Sequence, residues 1–135
     1  ATAVEHIYAG AGNDVVNLTS VNYVYGDVTI AGGEGHDIIW SGAGNDTLGG
    51  DAGNDQIFGG AGEDILSGGS GNDWLRGGEG DDELHFSADT IIAGGYSAWN
   101  VGSPGVFGSN EFVSVDGKNL STDIYDGGDG WDVLY

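Results

Sequence analysis

The chain has 135 residues, 29 of them glycine, with no cysteine and a formal net charge of −20; Arg76 and Lys118 are its two cations. That charge argues against nucleic acid and anionic membrane surfaces as partners, since both would repel it. The lack of cysteine excludes disulfides and thiolate zinc sites, and no apolar run is long enough to cross a bilayer as a helix. High charge with modest hydrophobic content predicts a chain that stays disordered until a counter-ion binds.

In chain order, Val4 to Tyr8 reads as the second half of a nine-residue unit, with Glu5 in its acidic place and Ile7 inward. Residues 9–17, AGAGNDVVN, form a complete unit carrying Asp14 and Val16. A short interruption covers about residues 18–25. The segment from Asp27 to Gly33 keeps the strand, but its aspartate comes one place early and the acidic place is lost. Residues 1–31 are thus a degenerate N-terminal region.

From residue 32 to residue 85 six units run head to tail: GGEGHDIIW, SGAGNDTLG, GDAGNDQIF, GGAGEDILS, GGSGNDWLR and GGEGDDELH. Residues 86–120 form a non-repetitive insert rich in Gly, Ser and aromatics, within which Asp89 to Gly95 shows the shifted pattern again. The alternation from Glu111 to Val115, followed by Asp116-Gly117, predicts a small hairpin or capping loop turning at Asp116-Gly117. Residues 121–135 resume the repeat, with Asp123 and Tyr125, then Asp132 and Leu134. The chain opens mid-unit and closes on the ninth place. We expect one domain that is a fragment of a larger protein, because solenoid ends normally carry caps.

Numbering each unit from 1 to 9 shows what the positions do. Glycine at positions 2 and 4 allows positive φ and leaves main-chain carbonyls uncovered. Position 6 is Asp37, Asp46, Asp55, Asp64, Asp73 and Asp82. Position 8 is Ile39, Leu48, Ile57, Leu66, Leu75 and Leu84, which predicts a three-residue strand with one inward side chain. One carboxylate per turn among bare carbonyls is hard-cation chemistry. Ca²⁺ accepts about six to eight oxygens in tolerant geometry, whereas Mg²⁺ demands a tight octahedron. A single Asp per turn cannot fill that shell, so two turns must share each ion. Turn-making alone would explain one Asp per turn, but not its fixed distance from an aliphatic residue two places on.

The pattern G-G-x-G-x-D-x-U-x, in which U is aliphatic, closely resembles the RTX (repeats-in-toxin) family of secreted bacterial proteins. The resemblance implies an all-β, right-handed parallel β-roll, a β-solenoid with the Gly- and aromatic-rich insert as cap. Two units make a coil, so each unit partners the one after next. Asp37, Asp55 and Asp73 then share one edge, and Asp46, Asp64 and Asp82 the other. Four internal Ca²⁺ sites follow, between 37 and 55, 55 and 73, 46 and 64, and 64 and 82, with flanking sites through Asp14, Asp123 and Asp132.

Carbonyls at positions 1 and 3 would complete the shells. These belong to Gly32 and Glu34, Ser41 and Ala43, Gly50 and Ala52, Gly59 and Ala61, Gly68 and Ser70, and Gly77 and Glu79. The family also implies type I secretion, folding in extracellular calcium, a location outside the cell or on its surface, and neighbouring domains of the same chain as partners. Its members include toxins, adhesins, proteases, lipases and epimerases; an adhesin or toxin parent is favoured.

Positions 7 and 9 should alternate between two outer faces. One carries Ile38, Trp40, Gln56, Phe58, Trp74 and Arg76; the other carries Thr47, Gly49, Ile65, Ser67, Glu83 and His85. Trp40, Phe58 and Trp74 are either covered by the insert or form a contact surface for a partner domain, a receptor or sugar rings. His6, His36 and His85 fall at outward places and read as surface residues. No HExxH or G-x-S-x-G motif occurs, so no catalytic residue is assigned. The expectation is a non-catalytic, monomeric calcium module.

Overall fold

The structure is a computed structural model. It describes residues 6–85 in full, and beyond them the backbone of strands at 106–107, 112–117, 121–129 and 132–134. Every described regular element is a strand: β1 (His6–Ala11), β2 (Val15–Asn17), β3 (Thr29–Glu34), β4 (Ile38–Ala43), β5 (Thr47–Ala52), β6 (Gln56–Ala61), β7 (Ile65–Ser70), β8 (Trp74–Glu79), β9 (Glu83–His85), β10 (Val106–Phe107), β11 (Phe112–Gly117), β12 (Ser121–Asp129) and β13 (Asp132–Leu134). Among the described residues no helix is long and apolar enough to cross a membrane.

Strands β1 to β9 alternate between two sheets. One is ordered β1-β3-β5-β7-β9-β13-β10 and the other β11-β12-β8-β6-β4-β2. Within the tandem block each residue pairs in parallel with the one 18 places on, as Leu48 with Leu66 and Ile57 with Leu75. Two nonapeptides therefore make one coil, and the chain is a parallel β-roll.

The tandem strands are six residues long, not the three anticipated from the x-U-x unit. They run through position 3 of the following nonapeptide. A positive-φ glycine at position 2 would normally end a strand, but here its partners above and below have the same conformation. Gly42, Gly60 and Gly78 have φ of 112°, 122° and 132° and pair with one another across coils. The ladder therefore continues through them.

Strand alternation then places positions 8 and 1 on the inner side. The inner column is Ile30, Ile39, Leu48, Ile57, Leu66, Leu75 and Leu84, each at most 1% exposed, with Val28 beside it. Ile7 and Val16 pack against its N-terminal end.

The interruptions leave the register intact. Ile7 pairs with Ile30 and Val16 with Ile39, an offset of 23 in place of 18, so the first coil is five residues longer. After the tandem block Tyr125 pairs with Leu75 and Leu134 with Leu84, an offset of 50. The hairpin expected near residue 115 is present, with β11 antiparallel to β12, but Asp116 and Gly117 are strand residues paired with Thr122 and Ser121. The turn is therefore not at Asp116-Gly117. The expectation that the insert covers the aromatic face falls on residues outside those described.

Candidate metal centre

Each coil turns sharply after its position-4 glycine, and this turn swings the position-6 aspartate inward. Asp37, Asp46, Asp55, Asp64, Asp73 and Asp82 are all 1–2% exposed. Burying a carboxylate is costly unless each oxygen finds a partner. Half of that requirement is met within the chain. Oδ1 of Asp55 accepts the backbone N–H of Asp37 at 2.8 Å, and Oδ1 of Asp73 accepts that of Asp55 at 2.9 Å. On the other edge, Oδ1 of Asp64 and of Asp82 accept the N–H of Asp46 and Asp64. The ladder extends to the N-terminal units, where Asp37 accepts from Asp14 and Asp46 from Val28.

The other half is unmet. Oδ2 of Asp14, Asp37, Asp46, Asp55 and Asp64 is buried and accepts no hydrogen bond. Those of Asp37, Asp55 and Asp64 lie against the position-1 glycine of their own unit. A Cβ built on Gly32 would lie 2.3 Å from Oδ2 of Asp37 and 2.9 Å from the carbonyl oxygen of Gly50 in the next coil. The corresponding distances are 2.3 and 2.6 Å at Gly50, and 2.3 and 2.8 Å at Gly59. Position 1 is therefore glycine for a reason the sequence reading did not give: a carboxylate oxygen and a carbonyl oxygen approach its main chain too closely for a Cβ.

Among the described residues no group of three or more acidic, His or Cys side chains comes together as a metal cluster. Any ion bound here must draw most of its ligands from the main chain, which suits calcium and not zinc. Burial pushes Asp64 up to about 6, opposed by its hydrogen bond from Asp46 and reinforced by the charge of Asp46. Asp55 is raised chiefly by burial, with its hydrogen bond from Asp37 opposing. In both, burial disfavours the bare charge.

A second ladder, at position 5, was missed. Asp27 Oδ1 accepts the N–H of Asn45, Asn45 Oδ1 that of Glu63, and Asn54 Oδ1 that of Asn72. His36 belongs to it as well: its Nδ1 accepts the N–H of Asn54 at 2.8 Å, so it is an exposed side chain with a structural partner. The signal in the sequence was the run of Asn and Asp before the invariant Asp. Outside one edge lies a shallow groove of about 330 Å³ lined by Asp46, Glu63, Asp64, Asp81 and Glu83 among others, whose negative field draws in cations.

Val28 occupies position 6 of its coil, and Asp27 stands at position 5, in the second ladder. Asp132 and Asp123 align by backbone register: Val133 donates to the carbonyl of Asp82, as Glu83 does to that of Asp64, and Ile124 pairs with Trp74. On the outer face of β4, β6 and β8, Trp40 stacks on Phe58 with centroids 5.5 Å apart, and Phe58 meets Trp74 edge-on at 5.8 Å.

The family model of the RTX calcium-binding nonapeptide repeat matches residues 5–22, 25–48 and 49–84, more than half of the chain. The chain belongs to this family. Its repeats are a calcium-binding structural module, and the orphaned carboxylate oxygens of this roll suit that ion. No curated protein and no solved structure matches the chain.

Proposed function

We propose that the chain is a non-catalytic folding module of a secreted bacterial RTX protein, ordered by extracellular calcium and holding neighbouring domains in place. The carrying observation is the row of buried Oδ2 atoms that accept no hydrogen bond. At Gly32, Gly50 and Gly59 the missing Cβ lets a carboxylate Oδ2 and a carbonyl oxygen of the next coil approach the same stretch of main chain, and oxygens of these two kinds are what calcium takes. Intervals 37–55, 55–73 and 64–82 share this form; 46–64 carries Ser41 at position 1. The carbonyls of positions 1 and 3 complete each shell, and Asp14, Asp123 and Asp132 extend the ladders at either end. A toxin or adhesin parent fits a roll that resumes after a long insert.

Without the ion, a net charge of −20 and the buried carboxylates oppose folding. Calcium acts on the folded state alone and so drives folding. Far-UV circular dichroism during a calcium titration, with magnesium as control, tests this. A cooperative gain of β signal with calcium alone is expected; a chain already folded in chelator would overturn the reading.

A second reading concerns the aromatic row. Trp40, Phe58 and Trp74 form a continuous row of ring contacts, and Trp74 is 41% exposed. Such a surface suits sugar rings or a receptor. Loss of glycan binding in Trp74→Ala with calcium folding intact would support it; unchanged binding would discard it.

A further inference from the structure

The two edges of the roll are built alike at position 6 and differently at the position before it. On the first edge, that of Asp37, Asp55 and Asp73, the position-5 row is Asn13, His36, Asn54 and Asn72, without a carboxylate. On the second edge, that of Asp46, Asp64 and Asp82, the row is Asp27, Asn45, Glu63 and Asp81. Glu63 and Asp81 stand in successive coils, which stack about 4.8 Å apart, and with Glu83 they border the groove of about 330 Å³ outside this edge. Asp46 and Asp64 line the same groove; both are 1% exposed, and their Oδ2 atoms accept no hydrogen bond. The acids away from position 5 divide evenly, Glu34 and Asp51 flanking the first edge and Glu79 and Glu83 the second. His85 meets Glu83 at 2.5 Å and offsets its charge when protonated. The excess of negative charge on the second edge therefore rests on position 5.

Resting on the calcium reading above, we propose that the second edge binds calcium more tightly than the first and keeps its ions after the first has lost them. The cause is local charge. An ion between Asp46 and Asp64, or between Asp64 and Asp82, has the carboxylates of Glu63 and Asp81 in the adjoining row. An ion between Asp37 and Asp55, or between Asp55 and Asp73, has amides and an imidazole there instead. The effect stays on its own side, because six-residue strands hold the edges about 20 Å apart, while charges are screened over about 8 Å at physiological salt. The roll thus has a half-loaded state, with one edge filled and the other empty, between the fully loaded and the ion-free chain.

Amide resonances of the isotope-labelled chain, followed while a chelator withdraws calcium from the loaded protein, read the two edges separately. The amides of Asp37 and Asp55 report the first edge and those of Asp46 and Asp64 the second, since each donates to the next aspartate of its own edge. In low salt the second pair is expected to change at free calcium on the order of tenfold lower than the first, and high salt should narrow the gap. Glu63→Gln combined with Asp81→Asn, which removes charge and keeps side-chain shape, should bring the second pair up to the first. Asn54→Asp keeps the oxygen that accepts the Asn72 amide and should move the first pair to lower calcium. Coincident transitions in the wild type, or a second pair unmoved in the folded double variant, would each overturn the proposal. A chain whose resonances do not respond to calcium would instead overturn the calcium reading itself.

Discussion

Asp51 is the one described non-glycine residue with positive φ, at 74°, and it stands at position 2 where the other five tandem units have glycine. Left-handed backbone costs an L-residue about 1–2 kcal/mol, with Asp among the more tolerant types. Asp51 also adds negative charge near Asp55 and helps to raise its pKa. Asp51→Gly should therefore stabilise the roll by about 1 kcal/mol, seen as a higher urea midpoint at saturating calcium.

The buried carboxylates set a pH dependence of unusual sign. Asp64 is raised to about 6 from an ordinary value of 3.8, so the folded state holds more protons than the unfolded state between these limits. Without divalent cations, stability should then rise as pH falls from 7 towards 4, because protonation relieves the penalty. With calcium the trend should reverse, as protons compete for the same oxygens and affinity falls below about pH 6. Far-UV circular dichroism in chelator, with a partial gain of β signal expected at pH 5 over pH 7, and calcium titrations at the same two values would check both signs.

At the scale of the strand and its ladders, the two side-chain systems run in opposite senses. A position-6 Oδ1 accepts from the coil before it, and a position-5 side chain from the coil after it. Each turn is thereby tied on both sides. His36→Ala should cost about 1 kcal/mol and His36→Asn far less, with the exchange rate of the Asn54 amide as the direct readout.

The position-6 aspartates and position-8 aliphatics could be read from spacing because their role is the same in every coil. Coil length and edge membership came with the family resemblance, and the aromatic row followed from that coil length. The extent of the strands could not be read, because it depends on glycine ladders that form only when like conformations stack. The role of position 1 was hidden for a related reason. Glycine looks like a turn-former in a sequence, while here it leaves room beside Oδ2 of the aspartate five residues on. His36 was read as a surface residue because its partner, the Asn54 amide, is 18 residues away.

At the scale of the whole molecule, two units are the indivisible step. Deleting residues 50–67 removes a full coil and lets β4 pair where β6 did, with Ile39 opposite Leu75. Deleting only residues 50–58 would move β8 to the opposite sheet, separating Trp74 from the face of Trp40 and carrying away the strand on which β12 docks. The longer deletion should keep a calcium-induced β signal and resist proteolysis in calcium. The shorter one should lose protection of residues 121–135 despite removing less chain. Limited proteolysis in calcium distinguishes the two.

The first interruption adds five residues to a coil without moving a single rung, and Val21, Tyr23 and Val24 within it are 71–100% exposed. The perimeter of the roll is thus independent of its height. Foreign sequence spliced between Ser20 and Val24 would change what the roll displays while leaving alone what it stacks, Leu18 and Tyr25 against the core included. An ion-assembled solenoid of this kind is a display scaffold: grafted cargo would stay on a slack chain inside the cell and be presented in a fixed frame wherever calcium is plentiful.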